Sequence, residues 1–432
     1  MVDNLQQQDY ESSTYLITRA MKARILRLIK MAKAYSYKLE YALQTRLEYY
    51  GHFLSHEYFG RTTIQCHFSK CAERPAKSSA ENRLCLFAAY HEKNRIPTSN
   101  LNYIESLHEC GFQILYIHNG QLSSKAIDAL SPFCAQVICR KNIGQDFGAW
   151  KDGYNYCLEK QLMINTEWLL LCNDSNYFLG GSQAKAFTSV LKKKLSDADC
   201  DLIALNKNYE IWQHFQSYFL CFHCRIFRQE KFDRFWKQYL PLNNRFHAIK
   251  NGEIALTRNI IGSASASILF DSPKLYQAII KHAPAAEDIL QYLPKNSLNL
   301  LRSNWDDLGK PINKVYLHQI LAYLDSHNPG HAYALLWVKF LKSPFLKKDL
   351  YRQGVFTLPQ IMSMLNDEDI EGGQNILEEI LNGYCAGGSN ISYLNYPREA
   401  YRKGIPHPSI KTLHGYNYKL FNDTIDNPND NT

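Results

Sequence analysis

The chain has 432 residues, 45% of them hydrophobic, which is ample for burial but too many for one ordinary core; a central domain of roughly 200 residues with helical additions on either side is expected. No stretch reaches the roughly 18 to 20 apolar residues of a membrane span. Asp3 and Asp9 stand where a signal peptide needs a basic start and an apolar run, so export by that route is not expected either. The net charge of +8 is gathered on one segment rather than along a groove, which argues against a nucleic-acid partner.

That segment comes first in the chain. No acid stands between Glu11 and Glu40, while Arg19, Lys22, Arg24, Arg27, Lys30, Lys33 and Lys38 all do. Residues 12–50 contain no Pro and no Gly, and Met21, Ile25, Leu28, Ala32, Tyr35, Leu39 and Ala42 recur at spacings of four and three, so a helix with an apolar stripe is expected. The stripe has two candidate settings. One is an anionic membrane surface, where each Lys or Arg contributes on the order of 1 kcal/mol. The other is the protein's own core or a second copy, with the charges simply solvated. Ser69 to Glu81, with Pro75 and paired serines, reads as a linker. The 12 cysteines follow no framework, and many lie inside apolar runs, which suits a reducing cytoplasm. Cys66, His67 and Cys71 lack a second ligand pair, and Cys221 and Cys224 would point to opposite faces of a strand, so structural zinc is disfavoured.

From Arg83 onward short apolar runs alternate with helix-like stretches, the signature of an open α/β sheet. Strands are expected at Leu84–Ala89, Gln113–Ile117, Ala135–Cys139, Glu167–Cys172, Asp201–Asn206, Tyr218–Phe222 and Ala266–Phe270. Helices are expected near Leu101–Cys110, Lys125–Leu130, Gly148–Lys160 and Ala184–Leu195. Beyond about residue 300 the pattern is helical again, and an acidic, Asn-rich tail from Asn422 is expected to be disordered. The expected organisation is therefore 1–80 basic helix and linker, 81–300 α/β domain, 301–420 helical region and 421–432 tail.

In open α/β sheets ligands lie beyond the carboxyl ends of the strands, so the polar residues that follow each strand mark the candidate site. These are Tyr90-His91, His118-Asn119-Gly120, Asn142 to Asp146, and Asn173-Asp174-Ser175. A strand closing with Asp174 leaves a carboxylate at the sheet edge, where it would hold a divalent cation against a nucleotide diphosphate; the metal offsets charge that develops on the leaving group. An Asp in this setting is also an ordinary turn or cap residue. Phosphate loops of the Walker and dinucleotide types are absent, which argues against an NTPase or a dehydrogenase.

The order of the pieces resembles the family-2-type GT-A glycosyltransferases. More closely, Asn142-x-Gly144-x-Asp146-x-Gly148, Asn173-Asp174-Ser175, Gln216 to Phe219, and Gly252-Glu253 to Thr257 with Gly262 resemble the rhamnan synthesis F family. Asn328 to His331 and Pro344 to Leu350 resemble its C-terminal pattern, so the likeness runs from Leu84 to Leu350.

The resemblance implies a GT-A-like fold, a mixed and mainly parallel sheet flanked by helices with helical N- and C-terminal additions. It implies an inverting glycosyltransferase that takes a nucleotide-sugar donor, dTDP-L-rhamnose by family precedent, and a glycan or polyprenyl-lipid-linked acceptor. A cytoplasmic protein, peripheral on the inner face of the membrane, would suit that role. Tyr90, Asn119, Asn142, Gly144, Asp146, Asn173 and Ser175 would bind the donor. Asp174 would contact the diphosphate and hold Mg2+ or Mn2+, and Glu253 would match the acid that opens a helix and acts as general base for the acceptor hydroxyl. One departure stands out: the usual Asp-x-Asp pair is here Asn173-Asp174-Ser175, so basic side chains such as Lys207 or Arg258 are candidates to replace the cation. Lys347 and Lys348 read as solvated or phosphate-facing. A non-catalytic scaffold protein in a polysaccharide assembly complex is the alternative.

Overall fold

The computed structural model describes residues 64–69, 82–91 and 96–385, the last with breaks at 198, 211, 244, 263, 283–286, 295–296, 298–313 and 351–354, together with eight positions between 25 and 47. The expected tail from Asn422 and most of the expected linker lie outside the described residues.

An eight-stranded sheet organises the chain. Its strands are β1 (Ile64–Ser69), β2 (Arg83–Ala89), β3 (Phe112–Asn119), β4 (Cys134–Arg140), β5 (Trp168–Asn173), β7 (Leu202–Ala204), β10 (Phe219–His223) and β11 (Ala266–Ile268), in the order β1-β4-β3-β2-β5-β10-β7-β11. All seven expected strands are present. β4, β3, β2 and β5 run parallel, β10 runs antiparallel between β5 and β7, and β11 returns parallel to β7. The mixed, mainly parallel sheet expected from the strand–helix alternation is thus observed. β1 is an addition to the expectation; it pairs antiparallel with the outer side of β4.

The central strands are apolar on both faces because both faces are covered. Along β2, Cys85, Phe87 and Ala89 point into one core cluster while Leu84, Leu86 and Ala88 point into the other. Trp168, Leu170 and Cys172 of β5 join the first, and Leu169 and Leu171 the second. Each such side chain, once fully buried, stabilises by about 1.5–3 kcal/mol. The second cluster is roofed by the helix Gln145–Glu159, whose Phe147, Trp150, Tyr154 and Cys157 recur at spacings of three and four and are all buried. The other expected helices are also found, as Thr98–Glu109, Ser124–Leu130 and Gly181–Leu195.

Residues far along the chain complete the first cluster. Leu335, Leu336 and Trp337 of the helix Ala334–Leu341 pack there beside Phe178 and Phe219. The short strand β12 (Phe345–Lys347) pairs antiparallel with β6 (Asn176–Phe178), which directly follows the candidate Asn173-Asp174-Ser175 turn. Phe345 is the anchor of this pairing: its ring lies 5.1–5.3 Å from those of Tyr103, Phe178 and Phe187, and 6.4 Å from that of Phe219.

The N-terminal apolar stripe does not pack on this core at its described positions. Ile25, Leu28, Ile29, Leu39, Leu43 and Leu47 are helical and at least 48% exposed, all on one face. Among the described residues no helix is long and apolar enough to cross a membrane.

Candidate active site

The parallel ladder brings the carboxyl ends of β2, β3, β4 and β5 to one edge. Ala88 is level with Asn173, and Asn119 with Arg140. The Asp174 N–H donates to the Ala88 carbonyl at 3.1 Å, and the Tyr90 N–H returns a bond to Asp174 Oδ2 at 3.3 Å. Asp174 is thereby fixed at the edge, with its side chain 12% exposed, while Tyr90 beside it is exposed.

Arg140, which sequence reading passed over, organises the neighbouring turn. It is buried; its Nε donates to Asp152 Oδ2 at 2.6 Å, one Nη to Asn119 Oδ1, and the other to the Ile143 carbonyl at 2.8 Å. Asn119 is therefore buried and committed to Arg140 and the Gln145 carbonyl, a positioning residue for the turn. Gly144 stands at φ +75°, and a Cβ there would come 2.3 Å from Pro241. Its N–H donates to Asn243 Oδ1 at 2.7 Å. The helix opens immediately after this turn, so it begins three residues before the expected Gly148, and Asp146 falls in its first turn while Asn142 stays exposed.

Asp146 and Asp174 meet across this edge. Asn173 Nδ2 donates to Asp146 Oδ2 at 2.7 Å, and Asn173 Oδ1 accepts from the Ser175 N–H at 3.1 Å. Removal from water, and then the nearby Asp174 carboxylate, push the Asp146 carboxyl up to about 7. The lone Asp of the Asn-Asp-Ser turn is therefore not alone: its second carboxylate comes from the helix after β4.

Glu253 comes from a different element. It lies within a widened, π-helical stretch, Ala248–Ile254, rather than at a helix opening as the resemblance implied. Gly252 lets this stretch approach the helix Gln145–Glu159: a Cβ there would be 2.8 Å from the Phe147 ring. Glu253 Oε1 accepts the Ser217 N–H at 2.6 Å, and Oε2 lies 3.7 Å from His214 Nε2. The carboxylate is nearly buried, at 9% exposure, yet one oxygen keeps free lone pairs.

Lysines from β12 and its end reach the strand-end turn and the Tyr218 ring. Lys348 Nζ lies 3.6 Å from Asp174 Oδ2, and its N–H donates to the Ser175 carbonyl at 3.0 Å. Lys347 Nζ sits 4.6 Å from the centre of the Tyr218 ring. Burial pulls the Lys347 ammonium below its usual range, while the carboxylates of Asp349, Glu253 and Asp146 pull it back and Arg245 opposes them. Burial alone would raise the Asp349 carboxyl, but the hydrogen bond with His331 Nε2 at 2.9 Å and the charges of Lys347 and Arg245 hold it well below the carboxylate range. The lysines are therefore embedded in a charge network, not simply solvated. The basic groups suggested by sequence meet aromatic rings: Lys207 stacks on Phe215 at 5.2 Å and Arg258 on Trp212 at 4.9 Å.

The side chains present do not by themselves make a cation site. Asp174 shares its Oδ2 with the Tyr90 N–H and Lys348, and among the described residues no three His, Cys, Asp or Glu side chains are grouped to hold a metal. No step is therefore routed through Mg2+ or Mn2+ at Asp174.

Fold and site together define an α/β protein with a mixed, mainly parallel sheet, two carboxylates at its strand-end edge, and a lysine 3.6 Å from one of them. Residues 114–289 match the model of the family described as Rhamnan synthesis protein F, within the span of the resemblance read from sequence. The protein y4gN of Sinorhizobium fredii is 29% identical over 160 residues, 36% of this chain, and the match spans 40% of that relative's length. Among solved structures, the mannosyltransferase PcManGT of Pyrobaculum calidifontis, in complex with GDP-Man and Mn2+, is 11% identical over 80% of this chain and 92% of its own, with a TM-score of 0.27. The mannosyltransferase Ktr4p of S. cerevisiae is 10% identical over 45% of this chain and 69% of its own, with a TM-score of 0.22.

Proposed function

We propose that this protein transfers a sugar from a nucleoside-diphosphate donor to a hydroxyl of a lipid-linked or growing cell-surface polysaccharide, with inversion. The observation that carries the reading is that two adjacent lysines link the two sets of acids: Lys348 lies 3.6 Å from Asp174, and Lys347 lies over the ring of Tyr218, whose neighbour Ser217 is bonded to Glu253. In this reading Asn142, Gly144 and Asp146 face the donor's base and sugar, and Tyr90, Asn173, Asp174 and Ser175 border its diphosphate. Glu253 accepts the proton of the acceptor hydroxyl; the hydroxyl oxygen bonds to the anomeric carbon as the bond to the diphosphate breaks, and the nucleoside diphosphate departs with the electron pair. No covalent enzyme intermediate forms. The family match supports polysaccharide synthesis and makes dTDP-L-rhamnose the first donor to try.

The test is release of nucleoside diphosphate from a panel of nucleotide sugars in the presence of a polyprenyl-linked glycan. Glu253→Gln should lower kcat about 10²- to 10⁴-fold with KM for the donor nearly unchanged, the signature of a lost general base. Full turnover by this variant would refute the assignment. Failure of the wild-type chain to turn over any donor would favour the scaffold reading.

The exposed N-terminal stripe, whose part before Glu40 is accompanied by seven basic residues and no acid, suits an anionic lipid surface on the side where lipid-linked acceptors are extended. The full chain should co-sediment with vesicles containing anionic phosphatidylglycerol and not with neutral ones, and Leu28→Asp with Leu39→Asp should abolish this. Concentration-dependent dimerisation lost in the same double variant, without vesicle binding, would assign the stripe to a second copy instead.

A further inference from the structure

Sugar transfer leaves a diphosphate whose charge must be neutralised as the bond breaks. The turn after β5 supplies no positive charge of its own, since Asn173, Asp174 and Ser175 offer an amide, a carboxylate and a hydroxyl. The positive groups arrive from far along the chain. β12 pairs with β6 in a register that sets Lys347 level with Asn176, and the Lys348 N–H is bonded to the Ser175 carbonyl, so both lysines are held over the turn by backbone geometry. Lys348 Nζ then lies 3.6 Å from Asp174, and Lys347 Nζ lies over the Tyr218 ring. The Tyr218 hydroxyl is in turn bonded by Asn206 Nδ2, which fixes the ring.

The arrangement has the form of an anion site. Lys348 is loosely paired, at a distance longer than a hydrogen bond, with a carboxylate that is itself bonded by a backbone N–H. Lys347 meets an aromatic face rather than a closely bonded carboxylate. Neither ammonium is locked, and an incoming diphosphate offers each of them better acceptors than it has now. Asp349, bonded to His331 and 3.6 Å from Arg245, offsets the charge of Lys347.

Resting on the nucleotide-sugar reading, we infer that Lys347 and Lys348 form a cationic clamp that grips the donor's diphosphate and takes the charge-neutralising part a divalent cation would otherwise play, so that donor binding does not require a metal. Asp174 then serves to position Lys348 and yields it to the donor.

Calorimetric titration of the full chain with inorganic pyrophosphate, thymidine diphosphate and uridine diphosphate, each with EDTA and each with Mn2+, tests this. Pyrophosphate and at least one nucleoside diphosphate should bind in EDTA with little change on adding Mn2+. Lys348→Met and Lys347→Met should each weaken binding about 10- to 100-fold, as for loss of a charge-assisted hydrogen bond, and Lys348→Arg should restore most of it. Lys237→Met, which removes an exposed cation paired with Asp233 in its own helix, should leave affinity within about twofold. Asp174→Asn should maintain or tighten binding, because it frees Lys348; a metal site predicts loss. Should Lys347→Met prove unfolded by circular dichroism, the more accessible Lys348 carries the decision alone. Binding that needs Mn2+ and disappears in Asp174→Asn would overturn the clamp, as would nucleoside diphosphate affinity indifferent to both lysines; that second result leaves the donor reading standing. Pyrophosphate held by the lysines with no nucleoside diphosphate bound would do the reverse. No binding of any probe would end both.

Discussion

Asp146 and Asp174 are carried on backbone set by a parallel ladder whose strands are buried on both faces, whereas Lys347 and Lys348 reach the same edge on a strand of three residues paired only with β6. The first set is positioned by many hydrogen bonds distributed over β2, β3, β4 and β5. The second depends on very few, and on one aromatic ring. The difference teaches that the acidic edge belongs to the sheet itself, while the basic groups belong to an arm whose docking can be weakened without disturbing the sheet.

Phe345 is the place to separate the two. Its ring meets Tyr103, Phe178, Phe187 and Phe219 at once, so Phe345→Ala leaves a cavity at the base of β12 and should cost about 3–5 kcal/mol, the usual range for a buried Phe truncation. If the arm docks as a separable unit, hydrogen exchange should quicken across residues 343–350 well before it does in β2 and β5, and pyrophosphate affinity should fall although no group proposed to touch the ligand was changed. Uniform loss of protection over the whole sheet would show instead that arm and ladder are a single cooperative unit.

The same contrast explains what could be read in advance. Every strand of the parallel half announced itself, because burial on both faces demands an unbroken apolar run such as Trp168 to Cys172, and topology then places the following polar residues at one edge. That is why Tyr90, Asp146, Asn173 and Asp174 could be brought together from sequence. Asn119 was selected by the same rule, yet it faces inward to Arg140; a strand-end position does not say which way a side chain turns. Arg140 and Asp152 left no local signal, since a buried ion pair is formed by residues twelve apart on different elements. β12 left almost none either. Three residues are too few for a period, and only the run of two lysines after a proline hinted that something charged was being delivered. Glu253 was found by motif, but its place in the middle of a π-helical stretch was not, because the widening reflects contact of Gly252 with Phe147.

A smaller effect sharpens the comparison from the acidic side. The Asp146 carboxyl is pushed up to about 7 from an ordinary 3.8, first by burial and then by the Asp174 charge. The folded chain therefore retains a proton through a window in which the unfolded chain has released it, and stability attributable to this group falls as pH rises. Below about pH 4 both states hold the proton and the contribution vanishes; above about pH 7 both are ionised and the penalty is complete. Asp146→Asn removes the titration while keeping a similar shape. Its stability relative to wild type should rise between pH 4 and 7 and level off above, by on the order of 2 kcal/mol in all once partial solvent screening is allowed for. Urea unfolding at pH 5 and pH 8 measures the difference. The companion variant Asp174→Asn removes one of the two causes, so the window in which Asp146 titrates should move to lower pH and narrow. A stability difference between Asp146→Asn and wild type that does not change with pH would mean that Asp146 and Asp174 do not share one desolvated edge, and would leave the lysines of β12 with no paired acids to offset.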